Sequence, residues 1–172
     1  MARGAGKSML LCVWLGCSAA YGQASATGDF VADPKSGCKV WDPHPVADES
    51  VSWSGDCANG LAQGPGSLQW WRGGKAFEKD DGEWNMGRQS GRGAQDWNSG
   101  RYQGELLNGE PHGQGTMTLQ SARYEGEFRN GKPNGEGAVT NLQGVFKGRW
   151  KDGCLTEGKR KITFGVPSSA CR

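Results

Sequence analysis

In the stretch Tyr124-Glu-Gly-Glu-Phe128, rings stand at the first and fifth positions, a glycine at the third and acids at the second and fourth. Successive strand residues point to opposite faces, so Tyr124, Gly126 and Phe128 share one face and Glu125 and Glu127 the other. Asn130-Gly131 follows, and an Asn-Gly pair is a strong signal for a two-residue hairpin turn, because both turn positions require positive φ. A return strand then runs through Gly135 and Gly137. The pattern predicts one short hairpin with an apolar face and a charged face.

The hairpin is written more than once. RYEGEFRNGKPNGEG begins at Arg123, and RYQGELLNGEPHGQG begins 22 residues earlier at Arg101. Aligned on this period, the opening positions are Trp53, Asp80, Tyr102, Tyr124 and Phe146, with steps of 22 residues after a first step of 27. The third position reads Gly55, Gly82, Gly104, Gly126 and Gly148, and the eighth Gly60, Gly87, Gly109, Gly131 and Gly153. Glycines close the twelfth and fourteenth positions of four units, and the fifth unit lacks them. Asn59-Gly60, Asn108-Gly109 and Asp152-Gly153 repeat the turn signal, while Gly73, Gly100 and Gly144 mark links between units. A lone hairpin is marginal in water. Stacked hairpins cover one another's apolar faces, which explains the repetition and predicts a solenoid.

These columns resemble the MORN repeat, whose pattern runs YxGEWxxGxxxGxG; YEGEFRNGKPNGEG carries nearly every element and DGEWNMGRQSGRG most of them. The resemblance spans about residues 53–153. It implies an all-β fold, a single-layer stack of β-hairpins in a MORN-type solenoid sheet with disulfide-capped ends. The aromatic face of that sheet would comprise Trp53, Trp84, Tyr102, Tyr124, Phe128, Phe146 and Trp150. Three departures predict looser packing than in the fourth unit: Asp80 for the opening aromatic, and Cys57 and Leu106 for the tryptophan at the fifth position. The long first period, which contains RGGKAFEK, marks a place where such an array can carry a functional loop, although simple drift of the period explains it as well.

Composition adjusts this picture in two ways. Glycine accounts for 30 of 172 residues and apolar residues for 35%, too little for a thick core, while eight tryptophans argue against disorder. The first residues, MARGAGKS followed by the apolar MLLCVWLGCSAA, have the grammar of a secretory leader, with cleavage after Gly22, Ala24 or Ala26. A lipoprotein leader acylated at Cys17 is the minor alternative. The apolar run is too short to span a bilayer. The expected divisions are 1–24 signal peptide, 25–52 N-terminal cap with Trp41 over the first unit, 53–158 repeat array and 159–172 C-terminal cap closed by Ile162 and Phe164. The expected location is periplasmic or extracellular in a bacterium.

Removing the leader takes Arg3 and Lys7, so 20 basic residues become 18 against 18 acidic. A neutral mature chain argues against nucleic acid, whose binders present a basic excess. A basic excess survives only after Lys147, and Lys159, Arg160 and Lys161 are the residues there that would meet an anionic membrane surface. Export also makes the cysteines readable. Cys38, Cys57, Cys154 and Cys171 suit two disulfides. Each hairpin adds about 10 Å of sheet, which separates Cys57 from Cys154 far beyond the roughly 7 Å a disulfide tolerates. The local pairs Cys38–Cys57 and Cys154–Cys171 remain, one at each end of the array.

No metal site, cofactor motif or catalytic constellation stands out, and the expectation is not an enzyme. His44 and His112 read as surface or structural residues, and Glu83, Glu105 and Glu127 as a ladder bonding to the neighbouring hairpin. The leading functional reading, which the resemblance implies, is an exported non-catalytic scaffold that binds a protein partner, another copy of itself included. Two alternatives are peripheral binding to anionic lipid and glycan or cell-wall binding through Trp70 and Trp71.

Overall fold

The computed structural model describes residues 28–171. The leader expected over residues 1–24, with Cys17 and the three cleavage points, lies outside them. The described chain is almost entirely strand. A first hairpin pairs β1 (Asp29–Ala32) with β2 (Lys39–Asp42). Then come β3 (Glu49–Trp53), β4 (Asp56–Ala58) and the long β5 (Leu61–Arg72). The array continues as β6 (Lys75–Asn85), β7 (Arg88–Trp97), β8 (Gly100–Leu107) and β9 (Glu110–Leu119). It finishes with β10 (Ala122–Arg129), β11 (Lys132–Asn141) and β12 (Gly144–Trp150), and β13 (Cys154–Glu157) and β14 (Arg160–Thr163) form a separate terminal hairpin.

From β5 to β12 each strand is antiparallel to the next, forming an open meander. The turns are the ones the sequence dictates. Asn59, Asn108, Asn130 and Asp152 have φ between 49° and 55°, and each is followed by a glycine of positive φ. Met86, with φ 50°, takes the same place in the second unit. Each turn glycine then reaches back one unit. The amides of Gly87, Gly109, Gly131 and Gly153 donate to the carbonyls of Ala62, Gln89, Pro111 and Pro133 at 2.7–3.0 Å. These bonds knit successive hairpins at one edge and set the stacking pitch.

The opening aromatic of each unit explains the glycine columns. The hydroxyl of Tyr102 donates to the Glu105 carbonyl at 2.6 Å, and that of Tyr124 to the Glu127 carbonyl at 3.1 Å. Both rings lie flat against backbone, where a Cβ at Gly115 or Gly137 would collide with them. The rings then stack edge to face within and across units. Tyr124 meets Phe128 at 5.0 Å and Trp150 at 5.2 Å, Tyr102 meets Phe128 at 5.2 Å, and Trp53 meets Trp84 at 5.1 Å. Each such pair contributes about 0.5–1.5 kcal/mol beyond its buried area.

The caps differ from expectation in detail. The last residues of the expected cap, 49–52, form β3 together with Trp53, and β3 pairs with the distal half of β5. Trp41 does not cover the first unit; it stacks on Phe30 and lies under the Arg88 guanidinium of the second, because β2 runs past the first turn and its Trp41 amide bonds the Gly87 carbonyl. At the other end Ile162 and Phe164 are buried with Leu155 in the cluster of Tyr124 and Trp150. Cys38 pairs with Cys57 and Cys154 with Cys171, with Cα separations of 5.8 and 5.7 Å.

Two further expectations need correction. Leu106 packs as completely as Phe128, each 3% exposed, so the third unit is not loosened by losing its tryptophan. Glu105 and Glu127 bond within their own hairpins, accepting from the amides of Gln114 and Glu136 at 3.2 and 3.1 Å. The cause is a bulge between Gly104 and Leu106 and its counterpart between Gly126 and Phe128. Each bulge interrupts the ladder, and the glutamate carboxylate takes up the amide left opposite it.

Candidate ligand cleft

The apolar face is not continuous. One buried cluster gathers Cys38, Val40, Val51, Trp53, Leu68, Trp70 and Trp84, and another runs from Tyr102 to Phe164. Between them lies the second unit, whose positions depart from every other unit in one consistent way. The opening position is aromatic in the other four units and Asp80 here. The tenth is Ala62, Pro111, Pro133 or Leu155 elsewhere and Gln89 here, and the sixteenth is Leu68, Met117 or Val139 in the other complete units, Lys161 in the incomplete fifth, and Gln95 here. Two positions before the opening, Val51, Gly100, Ala122 and Gly144 correspond to Glu78. Four same-face columns therefore turn polar in a single unit.

Over this interruption opens a cleft of about 630 Å³. Its floor is Trp70, Asp80, Trp84, Gln89 and Gln95. One wall is the N-terminal cap, which contributes Trp41, Asp42 and His44. A second wall rises from the end of the β5–β6 hairpin with Arg72, Phe77 and Glu78. The extra residues of the first period therefore lengthen two strands rather than form a loop, and that length builds a wall. The turn of the third unit, Leu107 to Glu110, closes the far side.

Hydrogen bonds fix part of the floor. The Trp70 indole donates to Asp80 Oδ2 at 2.9 Å. Gln89 Nε2 donates to the Asp81 carbonyl at 3.1 Å, filling the space where other units place the opening ring, and Gln95 Nε2 donates to Gln89 Oε1 and to the Gly109 carbonyl. Three buried polar atoms lining the cleft have no partner: Asp80 Oδ1, Asp42 Oδ2 and Trp84 Nε1. Their residues are only 4%, 6% and 5% exposed. Such orphans are rare in folded proteins and call for an occupant or a functional reason.

The cleft is also electrostatically unbalanced. Burial, and then the neighbouring Glu78 charge, push the Asp80 carboxyl up to about 8. Burial and the Asp42 charge raise Glu78, and burial raises Asp42. Glu49 moves the other way: burial opposes it, but the Arg72 guanidinium, bonded to it through Nε at 3.0 Å, holds it below the usual carboxylate range. Both arginines of the walls lie over rings, Arg72 at 4.4 Å from the Phe77 centroid and Arg88 at 3.8 Å from that of Trp41.

The residues singled out in the sequence are distributed differently. Trp84 lines the cleft, while Trp53, Tyr102, Tyr124, Phe128, Phe146 and Trp150 are buried in the two clusters. Trp70 and Trp71 do not form one platform. As strand neighbours they face opposite sides, Trp70 in the floor and Trp71 half-buried on the other face with its indole on Ser52. Arg160 stacks on Phe146 at 4.3 Å and Lys161 donates to the Cys171 carbonyl at 2.8 Å, so of the three basic residues only Lys159 has no such contact described. Sequence reasoning missed Asp42, Glu78, Gln89 and Gln95. The signal was present in the columns, as polar residues at positions that are apolar in the other units.

Among the described residues, no group of three or more histidine, cysteine or acidic side chains is arranged to hold a metal ion, and no helix is long and apolar enough to cross a membrane. The MORN repeat family model matches three consecutive segments, residues 81–100, 102–121 and 124–138. These are the second to fourth units; the first, with its longer period and Cys57, and the incomplete fifth lie outside the matches. No curated protein matches the chain.

Proposed function

Because the chain belongs to the MORN-repeat family, whose repeats are associated with protein- and membrane-binding scaffolds, we propose that it is an exported, non-catalytic module that binds a partner protein through the cleft over its second unit. The observation that carries this reading is the conversion of four apolar columns to Glu78, Asp80, Gln89 and Gln95 in one unit, directly beneath a cleft. Burying a polar group without a partner costs about 1–3 kcal/mol and Asp80 keeps one such oxygen, so a repeat serving stability alone has no reason to place it there. Export is supported by the basic and apolar leader grammar and by two disulfides, which fit an oxidising compartment. The disulfides pin the two caps, and the N-terminal one holds the strand that carries the Trp41 and Asp42 wall.

Affinity capture from a crosslinked cell-envelope extract tests the reading, with the oxidised mature protein as bait and Gln95→Leu as the matched control. A stoichiometric protein captured by the parent and lost with the variant supports it. Capture that is equal with both baits, or that yields only lipid or wall fragments, refutes it.

A further inference from the structure

The cleft presents a specific chemical deficit. Five carboxyl groups, Asp42, Glu49, Glu78, Asp80 and Glu110, line it against two guanidiniums. Arg72 is committed to Glu49 and Phe77, and Arg88 lies on Trp41. Asp42 and Asp80 each keep one buried oxygen with no amide, hydroxyl or cationic donor, and each lies against a second carboxyl, Glu49 for Asp42 and Glu78 for Asp80. The same walls carry four aromatic side chains, Trp41, Trp70, Phe77 and Trp84, two of which already hold a cation against the ring face. Carboxylates that lack donors, set among rings that accept cations, define a receptor for a positive charge. A charged group with several N–H donors suits a site with more than one unpaired oxygen.

We propose that the cleft binds an alkylammonium group, its N–H donors satisfying Asp80 Oδ1 and Asp42 Oδ2 and its methylene chain lying along the tryptophan rings. This rests on the reading of the cleft as the binding site, and it specifies what that site recognises. Two sources share the chemistry, a free diamine and the lysine side chain of a partner protein. A cleft of about 630 Å³ is large enough for either. The indole N–H of Trp84 remains for an acceptor on the same ligand, which a lysine backbone carbonyl supplies and a simple diamine does not.

Binding also displaces protons. Asp80 is largely protonated near neutral pH, with Glu78 and Asp81 on its own strand, Glu49 on β3, Trp70 and Arg72 on β5, Arg88 and Asp96 on β7, Glu110 on β9, and Asp42 and His44 in the cap. A bound cation replaces that proton, so affinity rises with pH across the range in which Asp80 ionises.

The test is isothermal titration of the oxidised mature protein with cadaverine, with Nα-acetyl-lysine methylamide, and with two neutral probes, 1,5-pentanediol and a chitin oligosaccharide. One or both ammonium probes are expected to bind, with both neutral probes silent. Affinity is expected to fall at least about tenfold in Asp80→Asn, a loss of about 1.4 kcal/mol. Heats should differ between buffers of different ionisation enthalpy. Preference for the lysine derivative assigns the site to a protein partner, and preference for cadaverine to a free amine. Binding of a neutral probe as tight as the ammonium probes, no heat from either ammonium, or an unchanged affinity in Asp80→Asn overturns the inference. Envelope capture that depends on Gln95 but ignores added cadaverine and the lysine derivative would sink the inference alone and leave the binding reading standing.

Discussion

Replacing Asp80 by Asn should make the protein more stable at pH 8, and the gain should depend on pH. Asn is nearly isosteric and keeps an oxygen to accept the Trp70 indole, so the packing of the floor is preserved. What changes is the burial of a titrating carboxyl. The folded protein holds Asp80 at about 8 against an ordinary 3.8. Between those values the folded state keeps a proton that the unfolded chain has released, so stability falls as pH rises through this window and is level below it. The shift corresponds to roughly 5 kcal/mol at pH 8 and above, since each unit is about 1.4 kcal/mol. Against this, the Asn amide brings donors into a site built for acceptors, at a cost of about 1–3 kcal/mol. The expected net gain is about 3 kcal/mol at pH 8, on the order of 10 °C in Tm for a domain of this size, and at pH 4, where the carboxyl penalty vanishes, the amide cost leaves the variant about 1–3 kcal/mol less stable than the parent. Thermal unfolding followed by circular dichroism at pH 4, 6 and 8 measures it. A variant less stable than the parent at pH 8, or a gain of the same size at all three values, would refute the account of a strained carboxyl.

The other expectations concern the array itself. Met86→Asn should stabilise by about 0.5–1 kcal/mol in urea unfolding, because Met86 is an exposed non-glycine residue with φ 50° where three other turns use asparagine. Gly137→Ala should destabilise by 2 kcal/mol or more, roughly the cost of overpacking, since its Cβ would strike the Tyr124 ring; the same denaturation assay checks it. Cys38→Ser with Cys57→Ser should cost about 3 kcal/mol for a bridge spanning 19 residues, and should weaken ligand binding more than Cys154→Ser with Cys171→Ser. Equal effects on binding would show that the N-terminal cap is not a functional wall.

The fold was legible because every unit repeats the same physical solution. Asn-Gly pairs announce the turns, alternation assigns the faces, and the glycine columns mark where Tyr102 and Tyr124 lie on backbone. The disulfide pairing followed from the pitch of stacked hairpins. Leu106 was misjudged because the pattern ranks side chains by identity, whereas packing ranks them by volume and neighbours; a leucine beside Gly93 fills its site completely. Glu105 and Glu127 were assigned to the wrong hairpin because a bulge leaves no mark in a period-two pattern. Trp41 was misplaced for a different reason, since β2 touches β5 through a single parallel bridge that no repeat rule anticipates.

The cleft was harder to read, although its residues are ordinary ones. Asp80 was noticed as a missing aromatic, and only its loss to the ring stack was considered. Read together with Glu78, Gln89 and Gln95, it marks a unit that has given up its apolar face. A solenoid can tolerate this where a compact domain could not. Its stability is close to a sum over units and their interfaces, so one weak unit lowers the total without removing a shared core. Here the flanking clusters are each complete, one closed by Trp53, Trp70 and Trp84 and the other by Phe164 with the terminal hairpin. The weak unit is therefore held from both sides, and its polar groups stay fixed, with Asp80 keeping one oxygen unpaired. A repeat array can make a binding site by breaking its own column at one position, and the break lies where the disulfide-anchored cap and the lengthened β5–β6 hairpin raise walls around it.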